Sequence, residues 1–435
     1  MERSNDGSGS KTSSFDSSRT ETNTASEPTL NVQSSVRSHK SQTNEDEKAI
    51  EQQIISQTPF DPEFVKKLVV KGLVTKRRGT FLYDEPDNPN GRPTVVSHLF
   101  QLGVSESTDY IVTVQPFSPG GGDRTNSEMD TTIFIFDANN DYVAWTGIQH
   151  EEGLYYTQCQ LSAGTYTIVP YTTGCRFEPR ESDDSDRIEL LDRNDDEKTF
   201  KLTKKFRMAL MNMFEQCDLD ANGTLSRAEF NLFNIRTGDE HVTDDEWNIV
   251  QQNFNCRSQE LTIKGFLDMH QLEVDENNGD CEDIWLSLKA LGYNNQLVLD
   301  EAVPFEIAFF TSRGTKPQIT IEPVEIQPVP DVFRHSMQQY FSGYSFSWQT
   351  DGGTMLKLFR NTWMAVAMIE NQTDQPVTKQ IIISDDNDVA TAMAINAERD
   401  SVIVPSKSTV TVANFMPNVD QGPDWHMNIS MENED

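Results

Sequence analysis

The stretch Phe206-Arg-Met-Ala-Leu210-Met-Asn-Met213-Phe214-Glu-Gln-Cys217-Asp218-Leu-Asp220-Ala-Asn222-Gly223-Thr224-Leu225-Ser226-Arg-Ala-Glu229 decides how the middle of this chain folds. Phe206, Leu210, Met213, Phe214 and Cys217 recur at intervals of three and four, the spacing of one buried helix face. From Asp218 the pattern becomes that of a loop built to offer oxygens. Asp218, Asp220 and Asn222 present side-chain oxygens at alternate positions, Thr224 offers its backbone carbonyl, and Ser226 can hold a water. Gly223 permits the sharp turn, and Glu229, in the first turn of a following helix, adds two more oxygens. A hard cation that takes six to eight oxygens suits such a loop. The expected cofactor is therefore one calcium ion (Ca2+), held by Asp218, Asp220, Asn222, Thr224 and Glu229. With three carboxylates rather than four or five, the expected affinity is on the order of 10⁻⁷ to 10⁻⁵ M. Asp and Asn also make turns and helix caps for reasons unrelated to metal. Glycine at six, Leu225 at eight and Glu229 at twelve, between two helical periodicities, favour the metal.

This is the twelve-residue EF-hand pattern, and a hand of this kind needs a partner for its loop strand and helix faces. Glu260-Leu-Thr-Ile-Lys-Gly-Phe-Leu-Asp-Met-His270 has a short β-type run leading into an apolar helix but lacks the acidic ligand ladder. It reads as a degenerate hand that holds no metal. Thr262 and Ile263 are expected to pair with Leu225 and Ser226, and Phe266 to pack against Phe230 and Phe233. The succession of Asp218-Leu-Asp-Ala-Asn-Gly-Thr-Leu-Ser, Leu261-Thr-Ile-Lys-Gly-Phe-Leu267 and Asp283-Ile-Trp-Leu-Ser-Leu-Lys-Ala-Leu-Gly-Tyr293 resembles the first EF-hand module of Miro, the mitochondrial Rho GTPases. The resemblance implies that Asp283 to Leu291 packs as a helix into the groove of the paired hands. No GxxxxGK[ST] phosphate loop accompanies it, so GTPase activity is not expected.

On either side the apolar period falls to two. Tyr110-Ile-Val-Thr-Val114, Thr131-Thr-Ile-Phe-Ile-Phe136, Leu154-Tyr-Tyr156 and Thr165-Tyr-Thr-Ile-Val169 read as strands separated by turn residues, a β-sandwich pattern. Gln160-Leu-Ser-Ala-Gly-Thr-Tyr-Thr-Ile-Val-Pro170 resembles the C2-like domain III of calpains. Trp363-Met-Ala-Val-Ala-Met-Ile369, Gln380-Ile-Ile-Ile-Ser384, Ser401-Val-Ile-Val404 and Thr409-Val-Thr-Val-Ala413 read as a second β-sandwich. The organisation expected is a disordered Ser/Thr-rich tail at 1–57, a β-sandwich at 58–180 and an acidic linker at 181–199. The EF-hand pair follows at 200–306, one hand visible and one degenerate, then a Pro-rich linker at 307–332 and a C-terminal all-β domain at 333–435.

With 36 basic against 69 acidic residues and a net charge of -33, the chain is not expected to bind nucleic acid or to be drawn to an anionic membrane. Cys159, Cys175, Cys217, Cys256 and Cys281 form no CxxC pair, which fits reduced thiols and a cytoplasmic location. None stands in a thiol-protease sequence, the seven histidines have no metal-ligand spacing, and no catalytic residue is expected. Asp137-Ala-Asn139-Asn-Asp141 begins like a second cation loop but places Tyr142 at six and Ile148 at twelve, so it reads as a hairpin turn. The expected function is a non-enzymatic calcium sensor or scaffold with flanking protein-interaction domains and a protein partner. The alternative is a calcium-dependent membrane or scaffold protein in which Asp123, Asp130, Asp137 and Asp141 form a C2-type site and the EF-hand is structural.

Overall fold

The computed structural model describes residues 60–84, 94–119, 129–149, 154–175, 186–193, 199–238, 240–327, 345–360, 364–384, 389–391, 399–417, 425 and 427–433. The tail expected at 1–57 lies outside them. The described residues are β-rich, arranged in several sheets with six helices.

Helix α1 (Pro62–Val70) precedes strands β1 (Thr75–Asp84), β2 (Thr94–Val104), β3 (Thr108–Pro116), β4 (Thr132–Asp137), β5 (Tyr142–Trp145), β6 (Ile148–Gln149), β7 (Tyr155–Leu161) and β8 (Gly164–Tyr171). The middle of the chain carries β9 (Leu191–Arg193), β10 (Phe200–Leu202), α2 (Lys204–Cys217), β11 (Thr224–Leu225), α3 (Arg227–Gly238) and α4 (Asp244–Asn253). It continues through β12 (Cys256–Arg257), β13 (Glu260–Thr262), α5 (Ile263–Glu276) and α6 (Glu282–Ala290), and then β14 (Ala302–Thr311) and β15 (Ile319–Gln327). The C-terminal strands are β16 (Ser345–Asp351), β17 (Thr354–Arg360), β18 (Ala365–Asn371), β19 (Val377–Ser384), β20 (Val389–Thr391), β21 (Arg399–Val404), β22 (Thr409–Pro417) and β23 (Asn428–Asn433).

The first sheet is completed by chain from beyond the helices. Its order is β5-β4-β8-β2-β1-β14-β3-β7-β6, with β15 also paired to β2. Strand β14 lies between β1 and β3, with Glu306 opposite Arg78 and Phe309 opposite Val112. Phe305, Ile307 and Phe309 fill the same core as Phe100, Val112 and Ile133. The helical module is therefore inserted into the first β unit between β8 and β14. This corrects the linker expected at 307–332 and the module boundary expected at 306, which falls inside β14. The prolines misled because β15 is held by β2 alone among the described strands, and an edge strand tolerates a residue without an N–H. A register shift between Val324 and Ile326 takes up the irregularity.

The acidic linker expected at 181–199 is also partly structured. β9 pairs with β10, and Leu190 and Leu191 are buried in the core of the helical module. Lys66 and Lys67 lie on α1, and Lys76, Arg77 and Arg78 on β1. Leu68 packs against Ile111, Ala308 and Phe310, so α1 covers the outer face of β3 and β14.

β4 is apolar along its length because both of its faces are buried. Ile133 and Ile135 point into the core of their own sheet, while Phe134 and Phe136 meet Met364, Val366 and Met368 across the boundary with the C-terminal strands. β18 mirrors this arrangement: Ala365, Ala367 and Ile369 line the C-terminal core, shared with Ile381 and Val402 of β19 and β21. A strand buried on both faces reads as a continuous apolar run rather than an alternation. At the rim of this contact the Tyr171 hydroxyl donates to Asn414 Oδ1 at 3.0 Å, and Cys175 Sγ donates to Asn414 O at 3.3 Å.

Candidate metal centre

Thr203 caps α2, its hydroxyl accepting from Phe206 N at 3.3 Å, and the helix buries Phe206, Leu210, Met213 and Phe214. It ends at Asp218, where the chain turns outward. Asp218 Oδ1 accepts from Asn222 N at 3.0 Å and Oδ2 from Gly223 N at 2.9 Å. Gly223 has φ +80°, and a Cβ there would find its nearest neighbour, Arg257 Nη2, at 3.9 Å. The backbone conformation, not lack of space, therefore calls for glycine.

Ser226 and Glu229 open α3 as a capping box. Ser226 Oγ accepts from Glu229 N at 3.3 Å, and Glu229 Oε2 accepts from Ser226 N and Oγ, each at 2.8 Å. Glu229 Oε1 reaches back to accept from Leu219 N at 2.8 Å and Asp220 N at 3.2 Å. One carboxylate thus straps the start of the loop to the start of the exiting helix. Ligand oxygens of Asp218, Asp220 and Glu229 lie within 4.8 Å of one another, with Asp218 and Glu229 buried. Asn222 Oδ1 accepts from Thr224 N at 2.7 Å and Thr224 Oγ1 at 2.6 Å, while Thr224 is buried and paired in β11.

Caps alone do not explain this grouping. Three carboxylates so close repel one another, and burial raises the pKa of both Asp218 and Glu229, with the charge of Asp220 adding to each. A cation among hard oxygen donors relieves both effects, so the residues present fit calcium. A proton and the cation compete for the same oxygens. Because these carboxyls take up a proton at higher pH than ordinary ones, affinity is full above their raised pKa values and is lost as pH falls through them. Calcium titrations carried stepwise from neutral pH downward should show binding weaken, with proton release on binding, before ordinary carboxylates would protonate. Affinity that holds until ordinary carboxylates protonate would contradict the raised pKa values.

The partner of this loop is β13. Leu225 pairs with Leu261 and Thr224 with Thr262. The expected pairing of Thr262 and Ile263 with Leu225 and Ser226 is thereby corrected, since Thr262 is the N-cap of α5, accepting from Gly265 N at 3.2 Å, and Ile263 is already helical. Phe266 meets Phe233 and Phe214 at ring distances of 5.5 and 5.8 Å, and Phe230 meets Phe233 at 5.9 Å. Helix α6 buries Ile284, Trp285 and Leu288 in the same core, and Arg236 Nε of α3 donates to Ala290 O at its end at 2.8 Å.

Three contacts to the loop have no signal in the loop's own sequence. Arg78 N of β1 donates to Leu219 O at 2.7 Å, and its guanidinium pairs with Glu215 at 3.4 Å, fixing the loop to the first β unit. Arg257 and Glu260 approach from the hairpin of β12 and β13. A cavity of about 30 Å³ between β2 and α3 is lined by His98, Glu229, Phe233 and Arg236. Burial, with the Arg236 charge, lowers the His98 pKa to about 4, so its ring is neutral.

The other sequence candidates are not brought together. Asp130 is buried and accepts from Thr172 Oγ1 at 3.1 Å and Thr173 N at 2.7 Å. Asp137 Oδ1 accepts from Asn139 N at 2.8 Å and Asp141 N at 2.9 Å, in the expected turn. Asp130 precedes β4 and Asp137 ends it, a separation of roughly 20 Å at strand rise. Asp123 lies outside the described residues. Burial, followed by the charges of Glu229 and Asp218, pushes the Cys217 thiol up to about 12. At neutral pH it is a thiol and not the thiolate a cysteine nucleophile needs.

Parts of the chain are similar to known proteins. Residues 241–307 match the family described as EF hand associated. EF-hand calcium-binding domain-containing protein 7 of Xenopus laevis is 34% identical over 239 residues, 54% of this chain and 37% of that protein. Its counterpart in Mus musculus is 29% identical over 344 residues, 76% of this chain and 53% of that protein. The probable mitochondrial Rho GTPase gemA of Dictyostelium discoideum is 35% identical over 108 residues, 23% of this chain and 16% of that protein. The chain spans about half or less of the length of these relatives. It is thus a chain similar to EF-hand calcium-binding domain-containing protein 7 over 76% of its length and to a mitochondrial Rho GTPase over 23%, with an EF-hand-associated segment that runs from the helical module into β14.

Proposed function

We propose that this chain is a non-enzymatic calcium-binding scaffold in which an EF-hand pair holds one calcium ion. The ligands are Asp218, Asp220, Asn222, the Thr224 carbonyl and Glu229. The observation that carries this reading is the convergence of carboxylates at positions one, three and twelve within 4.8 Å, around a glycine at φ +80°. The second hand, Phe254 to Gly265, contributes its strand and helices but no metal ligand. The two β units are sandwiches that flank the pair and offer surfaces to a protein partner, in the cytoplasm, where the five free cysteines stay reduced.

A scaffold role is favoured over a sensor that opens widely. α6 already occupies the apolar groove, and Arg236 ties the exiting helix to its end. Engagement of the metal by Glu229 then stabilises an arrangement that is largely formed. A lipid-binding C2-type site finds no support in Asp130 and Asp137, which stand at opposite ends of one strand, Asp130 accepting from Thr172 and Thr173 and Asp137 from its own turn.

Isothermal calorimetry on the full chain and on Glu229→Gln tests the proposal. One site of micromolar order is expected in the wild type and none in the variant. At a hundredfold excess of calcium over Kd, the unfolding free energy should rise by about 2.7 kcal/mol in the wild type only. Absence of binding heat in a folded wild type would refute the proposal.

A further inference from the structure

The loop of the degenerate hand is closed by a tight turn. Arg257 pairs with Glu260 across Ser258 and Gln259, whose φ values of +54° and +70° are those of a hairpin turn of type I′. That turn directs the two flanking side chains onto the neighbouring metal loop. The Thr224 hydroxyl lies 2.6 Å from both Glu260 Oε2 and Asn222 Oδ1 and has one proton to share between them, Glu260 Oε2 accepts from Asn222 Nδ2 at 3.2 Å, and Arg257 Nη2 donates to Asn222 O at 2.9 Å.

These contacts meet the two loop positions whose ligand atoms are ambiguous. The Asn222 amide has one end that can bind a cation and one that cannot. Its Nδ2 donates to both Asp220 Oδ2, at 3.1 Å, and Glu260 Oε2, and turning the amide over would set an oxygen against two carboxylates. Glu260 thus acts with Asp220 on the nitrogen end of the amide, while Thr224 N donates to the oxygen end at 2.7 Å, and together they fix which way the amide points. Glu260 also engages the Thr224 hydroxyl, leaving the backbone carbonyl as the oxygen Thr224 has to offer. Arg257 holds Asn222 O, a carbonyl that has no metal to bind in the twelve-residue pattern.

We propose that the degenerate hand acts as an affinity clamp for its partner, with Glu260 as a positioning residue that fixes the orientation of Asn222 and Thr224 and Arg257 as its support. This rests on the reading of Asp218 to Glu229 as the calcium loop. The hand without metal ligands of its own thereby supplies the hydrogen bonds that orient the ligands of the other loop. Outer-shell partners that orient metal ligands typically alter affinity by about 10- to 100-fold when removed.

The test is calcium calorimetry on the full chain in four variants beside the wild type, with chelator-treated samples checked for unchanged melting. Glu260→Ala is expected to weaken binding about 10- to 100-fold. Glu260→Gln, which keeps an acceptor oxygen for the Thr224 hydroxyl and the Asn222 amide, is expected to recover most of that loss, and Arg257→Ala to fall between the two. Glu229→Gln is expected to abolish binding. Wild-type binding that Glu229→Gln abolishes but Glu260→Ala leaves unchanged would overturn the clamp alone. Glu260→Gln as weak as Glu260→Ala would overturn positioning, since charge would then account for the effect. No binding in the wild type would overturn the loop reading and the clamp with it.

Discussion

Gly265→Glu, which places a carboxylate at the twelfth position of the loop Phe254 to Gly265, is expected to destabilise the helical module by about 3 kcal/mol or more and to leave calcium stoichiometry at one. The alignment follows from the strand pair. Leu225 and Leu261 face each other as the eighth residues of their loops, so Gly265 stands where Glu229 stands in the other hand. A Cβ on Gly265 would lie 2.4 Å from Asn255 O and 2.6 Å from Leu261 Cδ1, closer than real atoms approach, and the first of these is backbone. The same carbonyl accepts from Thr262 N at 3.0 Å and from Thr262 Oγ1 at 2.9 Å, so moving it away also disturbs the N-cap of α5. The helical preference of a larger residue over glycine returns only about 1 kcal/mol. Nor would the new carboxylate find company, because positions one, three and five are Phe254, Cys256 and Ser258. Chemical denaturation and calcium calorimetry on the one variant decide the matter. Two bound ions at undiminished stability would show that the collapsed loop can still open into a metal site.

What the sequence showed and what it concealed divide by distance along the chain. Every carboxylate of the proposed metal site lies within Asp218 to Glu229, so twelve consecutive residues carried the whole pattern of oxygens, turn glycine and helix start. The pairing with β13 was legible because Leu261 and Thr262 are a short β-type run before an apolar helix, although the register was not, since Thr262 competes as a helix cap. The completion of the first sheet was not legible. Lys76 and Glu306, joined at 2.6 Å, are 230 residues apart, and nothing local in Ala302-Val-Pro-Phe-Glu-Ile-Ala-Phe-Phe-Thr311 says which strands it will enter. β15 was hidden by its prolines, which mark a linker and an edge strand alike. The approach of Arg257 and Glu260 to the loop has no local signal, because their turn, Ser258-Gln259, adopts positive φ without the glycine or asparagine that ordinarily advertises it.

The continuous apolar runs carried information that a reading for strands alone did not use, and it leads to a second large effect. Phe134 and Val366, each 1% exposed, belong to the cluster that joins β4 to β18. Phe134 also stacks on Trp145 at 5.6 Å and meets Tyr171 edge-on at 5.9 Å, so Phe134→Ala opens a cavity bounded by both β units and should cost about 3–5 kcal/mol. Val366→Asp places a carboxylate in the same apolar surroundings with no partner, a loss of several kcal/mol unless the contact opens to let in water. If it opens, the first β unit with its inserted hands and the C-terminal strands no longer unfold together. A single denaturant transition in the wild type should then become two in Val366→Asp, with the calcium-dependent shift confined to the transition of the unit that holds Asp218 and Glu229. The double variant should lose less than the sum of the single losses, because once the contact has opened Phe134 has less burial left to forfeit. Strict additivity with one retained transition would mean that Phe134 and Val366 each act within its own sheet, and that the two runs are apolar for separate reasons.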